Sequence, residues 1–158
     1  MNRRTALTLI LTLPVVGLTS VPAQGFYELP MSDRERFERA WAAGGPSSKE
    51  WAYVRDSLPL ILESELSRKS IFDRWLAKVD QWHGSTPSDH RSITNVQDVR
   101  EVCWLIDVGS ALRIRYEGTR DFPAVYNNLW ILGVHYNKWL LDASPADIAH
   151  AEAYFPVS

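Results

Sequence analysis

Three places in the chain carry the same punctuation: a serine or threonine, then a glutamate or glutamine three residues later, close to the start of a run with helical spacing. They are Ser32 with Glu35, Ser47 with Glu50, and Thr94 with Gln97. In such a capping box the hydroxyl accepts a hydrogen bond from the third helical N–H, and the longer side chain reaches back to the N–H of the cap. Donors that every helix start leaves unpaired are satisfied locally. A chain punctuated this way is expected to fold into helices.

The runs between these signals agree. The first box opens "DRERFERAWAA", which "GGP" ends, and the second lies just ahead of "WAYVRDSL". Pro59 should break or kink that helix, because it lacks an N–H and crowds the preceding turn. Beyond it Leu62, Leu66, Phe72, Leu76 and Val79 recur at three, four or six residues, one face of a long helix that Ser70 with Asp73 could restart. The third box opens "VQDVREVCWLIDVGSALRIRYEG". Within it "LRIRY" alternates as a strand does and Gly109 could end a helix. The reading adopted is a helix stopped by Gly118 after Arg113 and Arg115. Pro123 begins "AVYNNLWILGVHYNKWLLDA", apolar on most sides and therefore expected at the centre of the packing. Ser144-Pro145-Ala146-Asp147 starts a short closing helix, "IAHAEAYF". The expected fold is all-α, a compact bundle of five or six helices.

The N-terminal stretch reads differently. "MNRR" places two arginines before the apolar run "TALTLILTLPVVGL", and Val21 and Ala23 occupy the small −3 and −1 positions of a signal-peptidase site. A positive end, a short apolar centre and a small-residue exit make a secretory signal over residues 1–23. Residues 24–158 are then one helical domain, exported to a periplasm or secreted. Arg3-Arg4 leaves the export route open between the general and the twin-arginine pathways. The alternative is an uncleaved membrane anchor, for which Pro14 and the threonines make a poor span.

Composition excludes several functions. Removing Arg3 and Arg4 from the 17 basic residues leaves 15 against 19 acidic ones, a formal charge of −4. Phosphate backbones need a basic surface, so nucleic acid is not the expected partner. Cys103 is the single cysteine, so neither an internal disulfide, a cysteine-based zinc site nor a haem attachment motif can be written. No cofactor is implied. Seven Trp and six Tyr are many for this length and read as a bulky core or as an aromatic binding surface.

The residues that could carry chemistry are few. In "VDQWHGSTPSDHRSIT" Asp80 and His83 are three apart, and Asp89 and His90 adjoin. Imidazole nitrogen with carboxylate oxygen suits a divalent metal. The segment lacks the spacing of any metal motif, however, and its Gly, Pro, Ser and Thr make it a turn-rich connection. Asp107 is the most unusual charge, embedded in "VCWLIDVGSAL". A carboxylate there must reach solvent, pair with an arginine such as Arg100, or act as an acid with a shifted pKa. His135 lies at the edge of an apolar helix face and reads as a hydrogen-bonded packing residue or a catalytic base, and His150 reads as a surface residue. Cys103 lies between Val102 and Trp104 and reads as a buried hydrophobe. Ser110 lacks a nucleophile elbow, and no glycine-rich phosphate loop occurs.

Two function classes follow. The first is an exported helical module that binds a protein partner without catalysis, as an inhibitor, immunity factor, chaperone or envelope adaptor does. Trp41 and Trp51 flank the "GGPSS" turn, and at least one of them is expected to be exposed and to anchor that partner. The second is a small metal-dependent or acid/base enzyme drawing on His83, His90, Asp107 and His135.

Overall fold

The computed structural model describes residues 32–83 and 91–154, in which six helices follow one another and no strand occurs. Helix α1 (Asp33–Ala42) starts at the first capping box: the Glu35 N–H donates to Ser32 Oγ at 3.2 Å and the Ser32 N–H to Glu35 Oε2 at 2.9 Å. It ends at Gly44 and Gly45, whose φ angles of 75° and 127° favour glycine. The following turn is pinned from above. Arg100 donates from Nε to the Pro46 carbonyl at 2.9 Å and from Nη2 to the Gly45 carbonyl.

Helix α2 (Ser48–Ile61) has Ser47 as its cap, but that hydroxyl donates to Glu50 Oε2 at 3.1 Å instead of capping a backbone N–H. Pro59 neither breaks nor ends it. The proline occupies the last turn, and its carbonyl accepts from Arg115 Nη2 at 2.8 Å. The true break spans 62–64, where Ser64 Oγ accepts from the Ser67 N–H at 3.3 Å and opens α3 (Glu65–His83). This interruption resets the helical phase, so the face read from Leu62 is wrong in part. Leu66 is 83% exposed, whereas Ser67, Ile71, Phe72, Trp75, Val79 and Trp82 are buried. No restart occurs at Ser70.

Helix α4 (Val96–Tyr116) is a single helix through 111–116. Its cap is Asn95, one residue beyond the expected Thr94: the Asp98 N–H donates to Asn95 Oδ1 at 2.9 Å. Thr94 donates its own N–H and hydroxyl to Asp98 Oδ2 at 3.1 and 3.0 Å, and Gln97 reaches away to the Ala43 carbonyl. Asn caps as well as Thr, and the buried Asp98 collects the donors that the box reading gave to Gln97. Gly118, with φ 80°, follows the helix end as expected. Helices α5 (Phe122–Asp142) and α6 (Pro145–Tyr154) complete the chain, the latter opened by Ser144 Oγ, which accepts from the Asp147 N–H at 3.1 Å.

The centre of the bundle is α4, not α5. It packs against α2, α3, α5 and α6 and buries residues on several sides, from Val99 and Val102 through Trp104 and Leu105 to Leu112 and Tyr116. Only Val125, Leu132 and His135 of α5 are buried. The close crossing of α5 over α4 rests on Gly109, where an added Cβ would lie 2.6 Å from Trp75 and 2.9 Å from Leu129. The Trp75 indole donates to the Leu105 carbonyl at 2.8 Å, which locks α3 to α4. Phe37, Trp51 and Trp104 fill the other end, with Trp51 edge-on to Trp104 at 6.0 Å and Phe37 tilted against Trp104 at 5.6 Å. Arg74 clamps α1 to α3 by donating to both oxygens of Glu38 at 2.7 and 2.9 Å. That hydrogen-bonded pair holds the Glu38 carboxyl below its ordinary pKa.

Candidate functional site

His83 closes α3, and its Nε2 lies 3.1 Å from Asn128 Oδ1 on α5. Asn128 in turn donates to the Ala124 carbonyl at 2.6 Å, so this amide is held in place. Asp89 and His90 lie outside the described residues. The two ends of the connection are tied together: the Arg91 N–H donates to the Trp82 carbonyl at 3.1 Å. The Arg91 guanidinium lies 4.1 Å over the Trp82 ring and donates to Asp98 Oδ1 at 2.6 Å. Asp80 is exposed. Among the described residues no group of three or more His, Cys, Asp or Glu side chains is placed to hold a metal ion.

Asp107 faces α2. Its Oδ2 is sealed from solvent without a donor of good geometry among the described residues. Burial pushes its carboxyl up to about 6, against the opposing pull of the Arg55 charge and of the nearby Trp51 indole. Arg100, the expected partner, is occupied by the carbonyls of Gly45 and Pro46. One turn before Asp107, burial and the Asp107 charge push the Cys103 thiol up to about 12, so Cys103 is an inert core residue at neutral pH. His135 lies on α5 with Trp82 edge-on at 5.9 Å and is 8% exposed. Asp107 and His135 therefore sit in different surroundings, one against α2 and the other against α3. His150 is exposed on α6.

The two tryptophans at the α1–α2 turn separate. Trp51 is fully buried, because α2 lays its first turn against α4 and the turn before it is fastened by Arg100. As a surface anchor Trp51 is corrected by this burial. Trp41 is half-buried, packed on Phe37 at 5.8 Å with the Arg74 guanidinium 5.2 Å over its ring. It borders a shallow depression shared with Gly44, Lys78, Glu101 and Leu105.

Of the seven large apolar or aromatic side chains exposed among the described residues, four lie elsewhere, on the outer flank of α5. Tyr126, Trp130, Val134 and Leu141 are 48, 66, 37 and 85% exposed. They follow one another at i, i+4, i+8 and i+15, which places them within about 100° of the helix circumference over about 22 Å. Gly133 and Asn137 fall on the same arc, and an added Cβ at Gly133 would meet no atom within 4 Å. Lys138 and Asp142 are the only Asp, Glu, Lys or Arg residues of α5, both in its last turns. The spacing of Trp130, Val134 and Leu141 on one flank is visible in the sequence. What spacing could not give is which flank of so apolar a helix the bundle covers.

No helix among the described residues is long and apolar enough to cross a membrane. No family model matches the chain, and neither a curated protein nor a solved structure is significantly similar to it.

Proposed function

We propose that the protein is an exported, non-catalytic helical module that holds a protein partner through the outer flank of α5. The observation that carries this reading is Trp130, 66% exposed in an apolar stripe with Tyr126, Val134 and Leu141 that Gly133 and Asn137 interrupt. A monomer in water gains nothing from that stripe, and apolar patches of several hundred Å² mark places where another surface docks. Tryptophan is among the residues that contribute most when such a surface closes. The Asn and Gly positions between the large side chains give the stripe relief for a partner to fill. Export rests on the signal-like residues 1–23, and the partner is then a protein of the periplasm or the extracellular space. Inhibitor, immunity, chaperone and envelope-adaptor roles share this design.

The experiment is capture from the producing cell's envelope extract by the immobilised protein, alongside Trp130→Asp and Leu141→Asp variants. Leu66→Asp, at an exposed apolar residue of α3 outside the flank, serves as control. Capture that the control retains and both flank variants lose supports the reading. Equal capture by all four proteins sinks it.

A second reading, an acid/base enzyme, draws on the raised pKa of Asp107, which suits a proton donor near neutral pH. Its surroundings argue for the bland role: an indole and an arginine face it, and its nearest thiol is unreactive.

A further inference from the structure

Resting on the reading of the α5 flank as a binding surface, we infer that its first occupant is a second copy of this chain. In that pair two α5 helices are antiparallel about a two-fold axis between Gly133 and Val134. The flank is self-complementary about that point. Under the two-fold, position i lies level with position 267 − i, so Tyr126 faces Leu141 of the second copy, and Val134, next to the axis, packs beside the second copy's Val134. Trp130 faces Asn137, whose side-chain carbonyl can accept from the indole N–H. Each aromatic side chain thus meets an aliphatic or polar one, and the two Val134 side chains pack on each other across the axis. Gly133, with open space above it, adds no side chain beside that pair and lets the two helices approach to the usual separation of about 8–10 Å.

Charge favours the same occupant, and area sets the strength of the contact. An isologous contact brings every charge against itself or its neighbours, so a flank free of Asp, Glu, Lys and Arg over Phe122–Asn137 avoids the repulsion of a chain with net negative charge. With side chains of about 150–250 Å², the four fractional exposures amount to roughly 450 Å² of apolar surface per copy. Two copies then cover roughly 900 Å² before any polar rim, close to the ~1,000 Å² at which specific interfaces begin. This is the size of a dimer that forms and exchanges, suited to a surface that a partner also uses.

The test reads association and geometry separately. Sedimentation of the full chain, and of residues 24–158 beside it, should show a concentration-dependent dimer in the micromolar range, weakened at least tenfold by Trp130→Asp with the helical circular dichroism unchanged. In a Cys103→Ala background a short bis-maleimide should join the Tyr126→Cys variant to the Leu141→Cys variant when the two are mixed, and neither to itself. Val134→Cys should join to itself. A chain that stays monomeric, a dimer indifferent to Trp130→Asp, or self-linking of Tyr126→Cys overturns the inference. So does association confined to the full chain, which assigns it to residues 1–23. Monomeric protein whose partner capture is still lost in Trp130→Asp removes the second copy and keeps the partner-binding reading. A flank-dependent dimer whose capture is unaffected by that variant does the reverse.

Discussion

Replacing Gly109 with alanine sets two effects of known sign against each other. In the interior of a helix alanine is favoured over glycine by about 0.8–1.0 kcal/mol, so α4 taken alone would gain. In the bundle the new Cβ would lie 2.6 Å from Trp75 Cζ2, 3.1 Å from Trp75 Cε2 and 2.9 Å from Leu129 Cδ1. Carbon pairs are attractive at about 3.5–4.0 Å, so all three contacts are repulsive. Leu129 is half-buried and can swing its terminal methyl aside. Trp75 cannot: it is fully buried, and retreat would cost the hydrogen bond from its indole to the Leu105 carbonyl. Forcing a methyl into a packed core costs about 1–3 kcal/mol, and a buried donor left without its acceptor costs about 1–3 kcal/mol more. After the helix gain, Gly109→Ala should lose about 1–5 kcal/mol. Gly133→Ala is the matched control, with the same propensity gain and nothing within 4 Å of its Cβ. In dilute, monomeric protein it should gain about 0.5–1 kcal/mol. Urea unfolding followed by circular dichroism and tryptophan fluorescence measures both. A Gly109→Ala protein as stable as the parent, or a Gly133→Ala protein equally destabilised, would refute the close α4–α5 crossing.

Leu132 is fully buried and Leu141 is 85% exposed on the same helix. Leu132→Ala should therefore cost about 2–5 kcal/mol and Leu141→Ala no more than about 0.5 kcal/mol in dilute protein, by the same unfolding assay. Asp107 should give stability a pH slope. With its carboxyl raised from 3.8 to about 6 in the folded protein, the folded state holds the proton more tightly. Its contribution is fully present below about pH 4 and lost as the pH rises through about 6. Asp107→Asn should flatten that slope and, after allowance for partial solvent screening, gain about 1–2 kcal/mol at neutral pH; an unchanged pH profile counts against a buried carboxylate. Acrylamide should quench Trp130 and, less strongly, Trp41, while leaving Trp51, Trp75, Trp82 and Trp104 shielded in single-tryptophan variants. If residues 1–23 are a cleaved signal, N-terminal sequencing of exported protein should begin at or near Gln24, and a chain that starts at Met1 in the membrane fraction would count against export.

Local chemistry made the helices legible before any packing was known. A cap is a contact across three residues, so Ser32 with Glu35, Ser144 with Asp147, and the stop at Gly118 could be read directly. Where two good caps adjoin, as at Thr94 and Asn95, the reading slips by one residue, because Asp98 decides between them by gathering Thr94 and Arg91. Burial could not be read in the same way. Periodicity says that residues share a face, not which face another element covers. Ser64 broke the phase and turned Leu66 outward, and Trp51 disappeared under α4 although its turn looked exposed. Two glycines show the difference most directly. Gly118 is explained by its own φ of 80°, a property of one residue. Gly109 is explained only by Trp75 and Leu129, one distant in sequence and the other on the next helix. That close approach draws one side of α5 onto α4 and leaves Trp130 on the other. The sequence alone determined that α5 is an apolar helix. The packing decided which of its sides remained for a partner, because only long-range contacts choose the face that water loses.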